Sequence, residues 1–139
     1  MATNFEFTIN PKRHVSVYRA RVLTRGKELY HVDINDGKRP YSIDIDSLTL
    51  PNQCLVEWNH RSGEILGMAS DFRRTADGLD CCILPIGTAI AKKMSEAKLK
   101  ISPTIHYCGS VDYFLEDGIL SKVSLCFEAT DDETFIEVF

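Results

Sequence analysis

The sequence of 139 residues has no long apolar run, no excess of positive charge and no clustered cysteine motif. No apolar run approaches the roughly 18 residues that a membrane-spanning helix needs. The N-terminal stretch MATNFEFTINPKRH lacks the apolar core of a secretion signal. The formal net charge is −4, whereas binding nucleic-acid phosphates requires clustered Lys and Arg. We therefore expect neither a membrane nor a nucleic acid as a partner.

The cysteines also lack the spacing of a metal site. The five of them, at positions 54, 81, 82, 108 and 126, form no CxxC pair. A zinc site needs a closed set of ligands at tighter spacing. Cys81 and Cys82 are adjacent, so in a strand they point to opposite faces. We interpret the cysteines as free thiols in a reducing compartment and expect no metal.

What the sequence does contain fits one domain over residues 1–139. Hydrophobic residues make up 44% and charged residues 26%, which are ordinary values for a globular protein with one core. Repeats, low-complexity tracts and linker-like stretches are missing from the sequence.

Alternation of apolar and polar residues, together with apolar β-prone runs such as 53–59, predicts strands through most of the chain. They fall at 14–22, 28–35, 53–59, 65–73 and 79–84, and then in LKISPTIHYCG, VDYFLEDG and ILSKVSLCFEA. Segment 41–48 alternates too, but could instead open a short helix or loop, and TFIEVF is a short edge strand or a tail. The TADG step before strand 79–84 predicts a turn with Gly78 at the position that tolerates positive φ.

One segment has helical periodicity. In 85–100 the apolar residues recur at spacings of three and four, which predicts a helix of about ten to twelve residues. Thr88 is the expected N-cap. The fold class is therefore mainly β with one or two helices (α+β). A closed or nearly closed barrel would hide the edges of about eight strands.

Two residues could form a nucleophile and its base. Ser102 lies inside a predicted strand and His60 directly follows another. A serine hydroxyl needs a base within hydrogen-bond reach, and imidazole suits this role near neutral pH. The pair meets if the two strands are neighbours; the alternative is that both are ordinary polar residues. His106 would lie about 13 Å from Ser102 in a regular strand, too far for proton transfer.

The remaining histidines have no partner signal. We interpret His14, His31 and His106 as exposed or wall residues. Trp58 is expected to pack in the core or to shield His60.

The stretch from 55 to about 128 resembles the procapsid (prohead) maturation proteases of tailed phages, which are related in fold to the herpesvirus assemblins. The resemblance rests on six segments in the family's order: VEWNH, GEILGMASDF, TADGLDCCILP, TAIAKKMSEAKLK, KISPTIHY and SKVSLCF. It implies a compact β-barrel serine endopeptidase without a cofactor. Such an enzyme cleaves scaffold protein and major capsid protein inside the assembling procapsid in the host cytoplasm. Assemblins depend on dimerisation, so the resemblance also suggests a homodimer.

Carried onto this sequence, the resemblance makes His60 the base and Ser102 the nucleophile. The third position, an acid in many phage members and a histidine in the assemblins, falls on Lys122. A charged lysine cannot accept the imidazole N–H, and its charge opposes imidazolium formation. Ser124 and Glu128 share the face of Lys122 if the strand is regular. Ser124, Glu128 and Lys122 therefore stay open as candidates for the third member.

Other departures from the family keep two alternatives open. Pro103 has no N–H to donate to an oxyanion, although it holds Ser102 extended. The arginine expected after the third position is missing from CFEATDDE. The first alternative is a catalytically inactive protease-like structural or assembly protein of the phage particle. The second is an unrelated small-molecule-binding barrel, with an apolar interior cavity and no close approach of His60 to Ser102.

Overall fold

The computed structural model describes residues 17–33, 37–96, 98–107 and 114–138. This part of the chain is mainly β with one small helix. Its elements are β1 (Tyr18–Thr24), β2 (Leu29–Asp33), β3 (Gly37–Ile43), a 3-10 helix (Ile45–Ser47), β4 (Gln53–Trp58), β5 (Ile65–Arg74), β6 (Gly78–Pro85), α1 (Thr88–Glu96), β7 (Lys100–His106), β8 (Phe114–Leu115), β9 (Ile119–Cys126) and β10 (Phe135–Val138).

Seven of these strands form one curled sheet that makes a half-barrel. The strand order is β10-β1-β6-β5-β4-β9-β7, and a smaller sheet has the order β2-β3-β8. Neighbours in the large sheet are antiparallel except β4 and β9, which run parallel. The curl brings β7, at one edge of the order, back toward β1 and β10.

Side chains help to close the gap between β7 and the segment that precedes β10. The backbone N–H of Ile101 donates to Thr134 Oγ1 at 3.2 Å. Lys100 Nζ donates to the carbonyl oxygens of Asp132 at 2.7 Å and Thr134 at 3.1 Å. Thr134 itself is 1% exposed, so this seam is part of the interior.

The core lies inside the curl, because alternate residues of each strand point there. Its fully buried members include Val22 of β1, Val56 of β4, Ile83 of β6, Ile101 of β7 and Val123 of β9. Cys81 is buried and its neighbour Cys82 is partly exposed, which confirms that they face opposite sides. Burial raises the pKa of the Cys54 thiol to about 11, so it remains a protonated thiol at neutral pH.

Helix α1 packs against the half-barrel, and its N-terminus differs from the prediction by one residue. Thr88 is its first residue, and Gly87 accepts the first helical hydrogen bond from Ala91 N at 3.0 Å. The Tyr18 hydroxyl donates to Ala91 O at 2.7 Å, which fastens the helix to β1. In the described ranges, no helix has the length and apolar character needed to cross a membrane.

Most strand predictions are confirmed to within a few residues, with exceptions at the ends. Segment 41–48, for which a strand and a short helix or loop were both open, contains both: β3 runs to Ile43 and a 3-10 helix follows at Ile45–Ser47. Residues 14–16, 34–36, 97 and 108–113 lie outside the described ranges, and with them His14, Cys108 and parts of five predicted elements. His31 lies in β2, as predicted.

Gly78 is required for a reason other than the predicted one. The positive-φ glycines of the described chain are Gly26 and Gly63, so the TADG turn does not use Gly78 in that way. Instead, a Cβ at Gly78 would overlap the backbone carbonyl oxygen of Leu23 on the paired strand β1. Position 78 therefore requires glycine because the backbones of β1 and β6 approach each other closely there.

We therefore predict that Gly78→Ala lowers the free energy of unfolding by roughly 2–3 kcal/mol, because the β1 and β6 backbones must separate. Urea denaturation measures this difference. Gly87→Ala is the matched control, since a Cβ there meets nothing within 4 Å. We expect Gly87→Ala to lower the free energy of unfolding by no more than about 1 kcal/mol, which is the preference for glycine over alanine at an N-cap. Equal costs at the two positions would contradict the close-approach explanation.

Candidate active site

Three adjacent strands carry a polar patch on the outer face of the sheet. In the register of β4, β9 and β7, Ser124 of β9 lies beside Glu57 on one side and Ser102 on the other. Lys122, two residues earlier on β9, lies opposite Thr104. Because Val56, Val123 and Ile101 point into the core, these polar neighbours all point outward.

The turn that follows β4 folds over this patch and carries His60. Asn59 N donates to Leu125 O at 2.9 Å, so the parallel pairing with β9 continues one residue past the strand. Asn59 and His60 then take left-handed conformations with φ of 48° and 59°. Asn and His are among the residues that tolerate this region best. Trp58 N donates to Glu64 O at 2.9 Å, which closes the turn.

The His60 ring lies between two serines. Its Nε2 is 3.1 Å from Ser102 Oγ, and its Nδ1 is 3.3 Å from Ser124 Oγ. Thr104 Oγ1 is 3.4 Å from Nδ1. The structure therefore brings the two residues together. The predicted adjacency of their strands is wrong, because β9 lies between β4 and β7 and the turn after β4 carries His60 across it. The catalytic roles of the two residues remain predictions.

Ser124 can orient the imidazole. The backbone N–H of His60 donates to Ser124 Oγ at 3.1 Å, which occupies one lone pair of that oxygen. The second lone pair is free to accept a proton carried on Nδ1. With the proton on Nδ1, Nε2 has the lone pair that a base needs toward Ser102. Ser124 is 1% exposed, so bulk water does not compete strongly for its hydroxyl.

The other two candidates for the third member are placed elsewhere. Lys122 Nζ forms an ion pair with Glu57 Oε1 at 2.9 Å, and so it does not orient the ring. The predicted shared face of Glu128 is wrong, because β9 ends at Cys126 and the alternation stops there. Glu128 is exposed in the loop that follows.

Sequence reasoning missed Glu57, which is 3% exposed beneath the turn. Its Oε2 accepts the Gly63 N–H at 3.1 Å, so one carboxylate binds both the turn and Lys122. The Lys122 ammonium, followed by the Gly63 N–H, holds the pKa of Glu57 below its usual range. The available sequence signal was an acid three residues before the histidine. Its contact with Lys122 can be predicted only when β4 is known to pair in parallel with β9.

A second histidine–serine pair lies farther along β7. His106 Nε2 is 3.0 Å from Ser121 Oγ. The Ser121 hydroxyl donates to Thr104 O at 3.3 Å, so its proton is already committed to a carbonyl. The His106 nitrogen therefore donates to Ser121 rather than acting as its base. This arrangement fits the prediction of a surface histidine and provides an internal control for the first pair.

An apolar groove of about 580 Å³ lies between α1 and the end of the sheet. Its lining includes Trp58, Ile90, Met94 and Phe127. The Trp58 ring packs edge-on against Phe127 with centroids 5.2 Å apart, and it also contacts the core, which confirms its predicted packing role. The small-molecule barrel alternative required that His60 not approach Ser102 closely, and the 3.1 Å contact contradicts that requirement.

Comparisons of the chain with protein-family models, with curated proteins and with solved structures give no significant match.

The Glu57–Lys122 pair should stabilise the fold only while Glu57 is ionised. A carboxyl whose pKa is lowered by folding contributes stability above its unfolded pKa and loses it as pH falls through the folded value. We predict that the coupling free energy of a double-mutant cycle, Glu57→Gln with Lys122→Gln, is favourable near neutral pH and declines as pH falls below the ordinary carboxyl range through the lowered pKa of Glu57. Urea denaturation of the four proteins measures it. A coupling that does not change with pH would contradict the ionised pair.

Proposed function

We propose that the protein is a serine endopeptidase of the prohead-protease type, with Ser102 as nucleophile, His60 as base and Ser124 as the residue that orients His60. The observation that carries this proposal is the chain of contacts Ser102 Oγ–His60 Nε2 at 3.1 Å and His60 Nδ1–Ser124 Oγ at 3.3 Å. A nucleophile, its base and a group that orients the base are the parts that acyl transfer needs.

The exposure of the site suits a polypeptide substrate. His60 is exposed and Ser102 is half-buried, on the outer face of the sheet rather than inside the barrel. An extended segment of another protein can reach such a surface without entering a cavity. The resemblance of 55–128 to prohead proteases supplies the substrate class in the proposal. It consists of segments of scaffold protein and major capsid protein, cut inside the procapsid in the host cytoplasm.

The chemistry needs only groups of this chain and water. Ser102 Oγ attacks the scissile carbonyl carbon while His60 Nε2 takes the hydroxyl proton. The imidazolium holds its Nδ1 proton on Ser124 Oγ and then gives the Nε2 proton to the leaving amine. Water, deprotonated by His60, hydrolyses the acyl ester and restores the Ser102 hydroxyl. No cofactor takes part in these steps.

Pro103 is compatible with this role. It lies in β7, which stands at the edge of the seven-stranded sheet, where a residue without an N–H is tolerated. Its ring also restricts the preceding residue to extended conformations, which helps to present Ser102 from the strand.

A catalytically inactive protease-like structural or assembly protein remains the second candidate. Lys122 at the position of the family's acid favours it, as does the neutral hydroxyl at Nδ1. A neutral hydrogen bond stabilises an imidazolium less than a carboxylate does. Such a protein would keep the sheet and the His60 turn but would not acylate.

Labelling with a fluorophosphonate distinguishes the two candidates. We predict a covalent adduct on Ser102, detected by intact mass and peptide mapping, that is lost in Ser102→Ala. His60→Ala should slow labelling about 10²- to 10⁴-fold, the usual contribution of a general base. The matched variants Ser121→Ala and His106→Ala should label at the wild-type rate. Labelling should be run over a range of protein concentrations that permits homodimers. No adduct at any concentration, or one on Ser121, would favour the inactive protein.

Ser124→Ala tests the orienting role separately. We predict that the labelling rate falls about fivefold, because the imidazole loses one neutral hydrogen bond worth about 1 kcal/mol. Thr104→Val is the control, since its contact with Nδ1 is longer, at 3.4 Å, and it does not also bind the His60 backbone. If Ser124→Ala labels as fast as Thr104→Val and wild type, Ser124 does not orient the base.

A further inference from the structure

The apolar groove between α1 and the end of the sheet takes no part in the steps above. Trp58, which lines it, pairs with Leu125, and Leu125 faces the core, so the groove lies on the inner side of the sheet. The His60 ring and the Ser102 hydroxyl meet on the outer face of the same strands. The groove is therefore separate from the proposed active site.

The size and the lining of the groove are those of a small-molecule site. Its volume of about 580 Å³ falls within the range of about 300–1,000 Å³ that such pockets occupy. Ten described residues line it, whereas a stable protein interface takes about 20–30 residues on each side. The apolar lining reaches the surface, since Ile65 is 41% exposed and Phe127 is 67% exposed. Contiguous exposed apolar side chains with a polar rim are typical of ligand grooves.

The charges at the groove favour an anionic ligand. Of the described residues that line it, Glu64 and Lys93 carry charge. In the described ranges, the Glu64 carboxylate has an ion-pair partner, the Arg61 guanidinium at 3.6 Å, and no partner is found for the Lys93 ammonium. Because the carboxylate is already compensated, the uncompensated charge at the groove is positive.

We propose that the groove binds a free small amphiphile that has an apolar body and one anionic group. The apolar body packs against Trp58, Met94 and Phe127, and the anionic group pairs with Lys93. A medium-chain carboxylate and an aromatic sulfonate both have this chemistry. The inference goes beyond the proposed function, because binding in the groove does not require Ser102 to be a nucleophile.

The groove also shares residues with the backbone that holds the His60 turn. Trp58 N donates to Glu64 O at 2.9 Å, and Asn59 N donates to Leu125 O at 2.9 Å. Three of these four residues, all except Asn59, line the groove. A ligand that packs against them restrains both hydrogen bonds. We therefore expect a bound ligand to slow hydrogen exchange at the amides of Trp58 and Asn59.

Trp58 is the only tryptophan of the sequence, so its fluorescence reports directly on the groove. Titration of the purified protein with decanoate below its micelle concentration, and separately with anilinonaphthalene sulfonate, should give saturable changes in Trp58 emission. No saturable change with either probe would overturn the proposal. So would a Trp58 emission that changes with protein concentration alone, because a second copy of the chain would then cover the groove.

The charge requirement is tested at the two adjacent lysines of α1. We expect Lys93→Gln to weaken decanoate binding about fivefold, as for the loss of an exposed ion pair, and to leave the binding of neutral decanol unchanged. Lys92→Gln is the matched control, because Lys92 is exposed but does not line the groove, and it should bind decanoate like the wild type. Equal losses in the two variants would show that the anion does not pair with Lys93.

The position of the apolar body is tested at two exposed isoleucines. Ile65→Glu places a carboxylate in the apolar lining and should weaken both decanoate and decanol at least about tenfold. Ile86 is 68% exposed and does not line the groove, so Ile86→Glu should retain wild-type affinity for both. Wild-type affinity in Ile65→Glu would overturn the assignment of the groove.

Hydrogen exchange measured with and without decanoate tests the link to the turn. The amides of Trp58 and Asn59 should exchange more slowly with ligand. The control is the Thr75 amide, which donates to Gly78 O in the turn at the other end of β5 and should keep its rate. Unchanged exchange at Trp58 and Asn59 in the saturated protein would reject the link. Both readouts are independent of fluorophosphonate labelling, so a failure of the proposed function leaves them interpretable.

Discussion

The parallel pairing of β4 with β9 is the constraint on which the site depends. Because the pairing continues past Trp58, it delivers the backbone of Asn59 and His60 onto β9, where each N–H finds an acceptor. Backbone N–H groups removed from water must be satisfied, and here the second acceptor is a side chain, Ser124. That hydroxyl is thereby fixed in place by the fold before it has any role toward the imidazole. Ser124 Oγ therefore accepts a backbone hydrogen bond that the fold needs and, in the proposed function, also orients the imidazole.

The electrostatic arrangement follows from the same pairing. The positive charge of a lysine at position 122 would by itself disfavour a neighbouring imidazolium. The buried carboxylate of Glu57 on the adjacent strand lies 2.9 Å from the ammonium, so the pair presents little net charge. The partner at Nδ1 is then free to be a neutral serine. Charge-assisted hydrogen bonds are roughly twice as strong as neutral ones, so this site relies more on placement than a site with an acid at Nδ1.

Local sequence patterns predicted most of the strands. They failed for residues whose contacts depend on which strands are neighbours in the sheet. The segments 53–59, 65–73 and 79–84 read as strands, the first of them as an apolar and β-prone run, and the observed strands lie within about two residues of them. Alternation tells which face a residue occupies, so Ser124 was a candidate for the third member. It does not tell which strands are adjacent or whether they run parallel. For that reason Glu57 and Thr104 were missed.

Two other errors have the same origin. Glu128 was predicted on the face of Lys122 because the strand was extended past Cys126. Gly78 was predicted as a turn residue, whereas the close approach of β1 is what requires a glycine there. The expectation that His60 would meet Ser102 came from the resemblance of 55–128 to prohead proteases, since the alternation of two strands does not bring them together.

The seam between β7 and Thr134 has a mechanical consequence. The strand that bears Ser102 pairs with β9 along its whole length, with one register shift after Thr104, but toward β10 it is held by a threonine hydroxyl and a lysine ammonium. The imidazole belongs to the opposite side of β9, on a turn fastened at both ends. We therefore expect that loosening the seam moves Ser102 relative to His60, which is held by its own turn. Under the proposed function, a binder that separates Thr134 from Ile101 would lower the activity without contacting either His60 or Ser102.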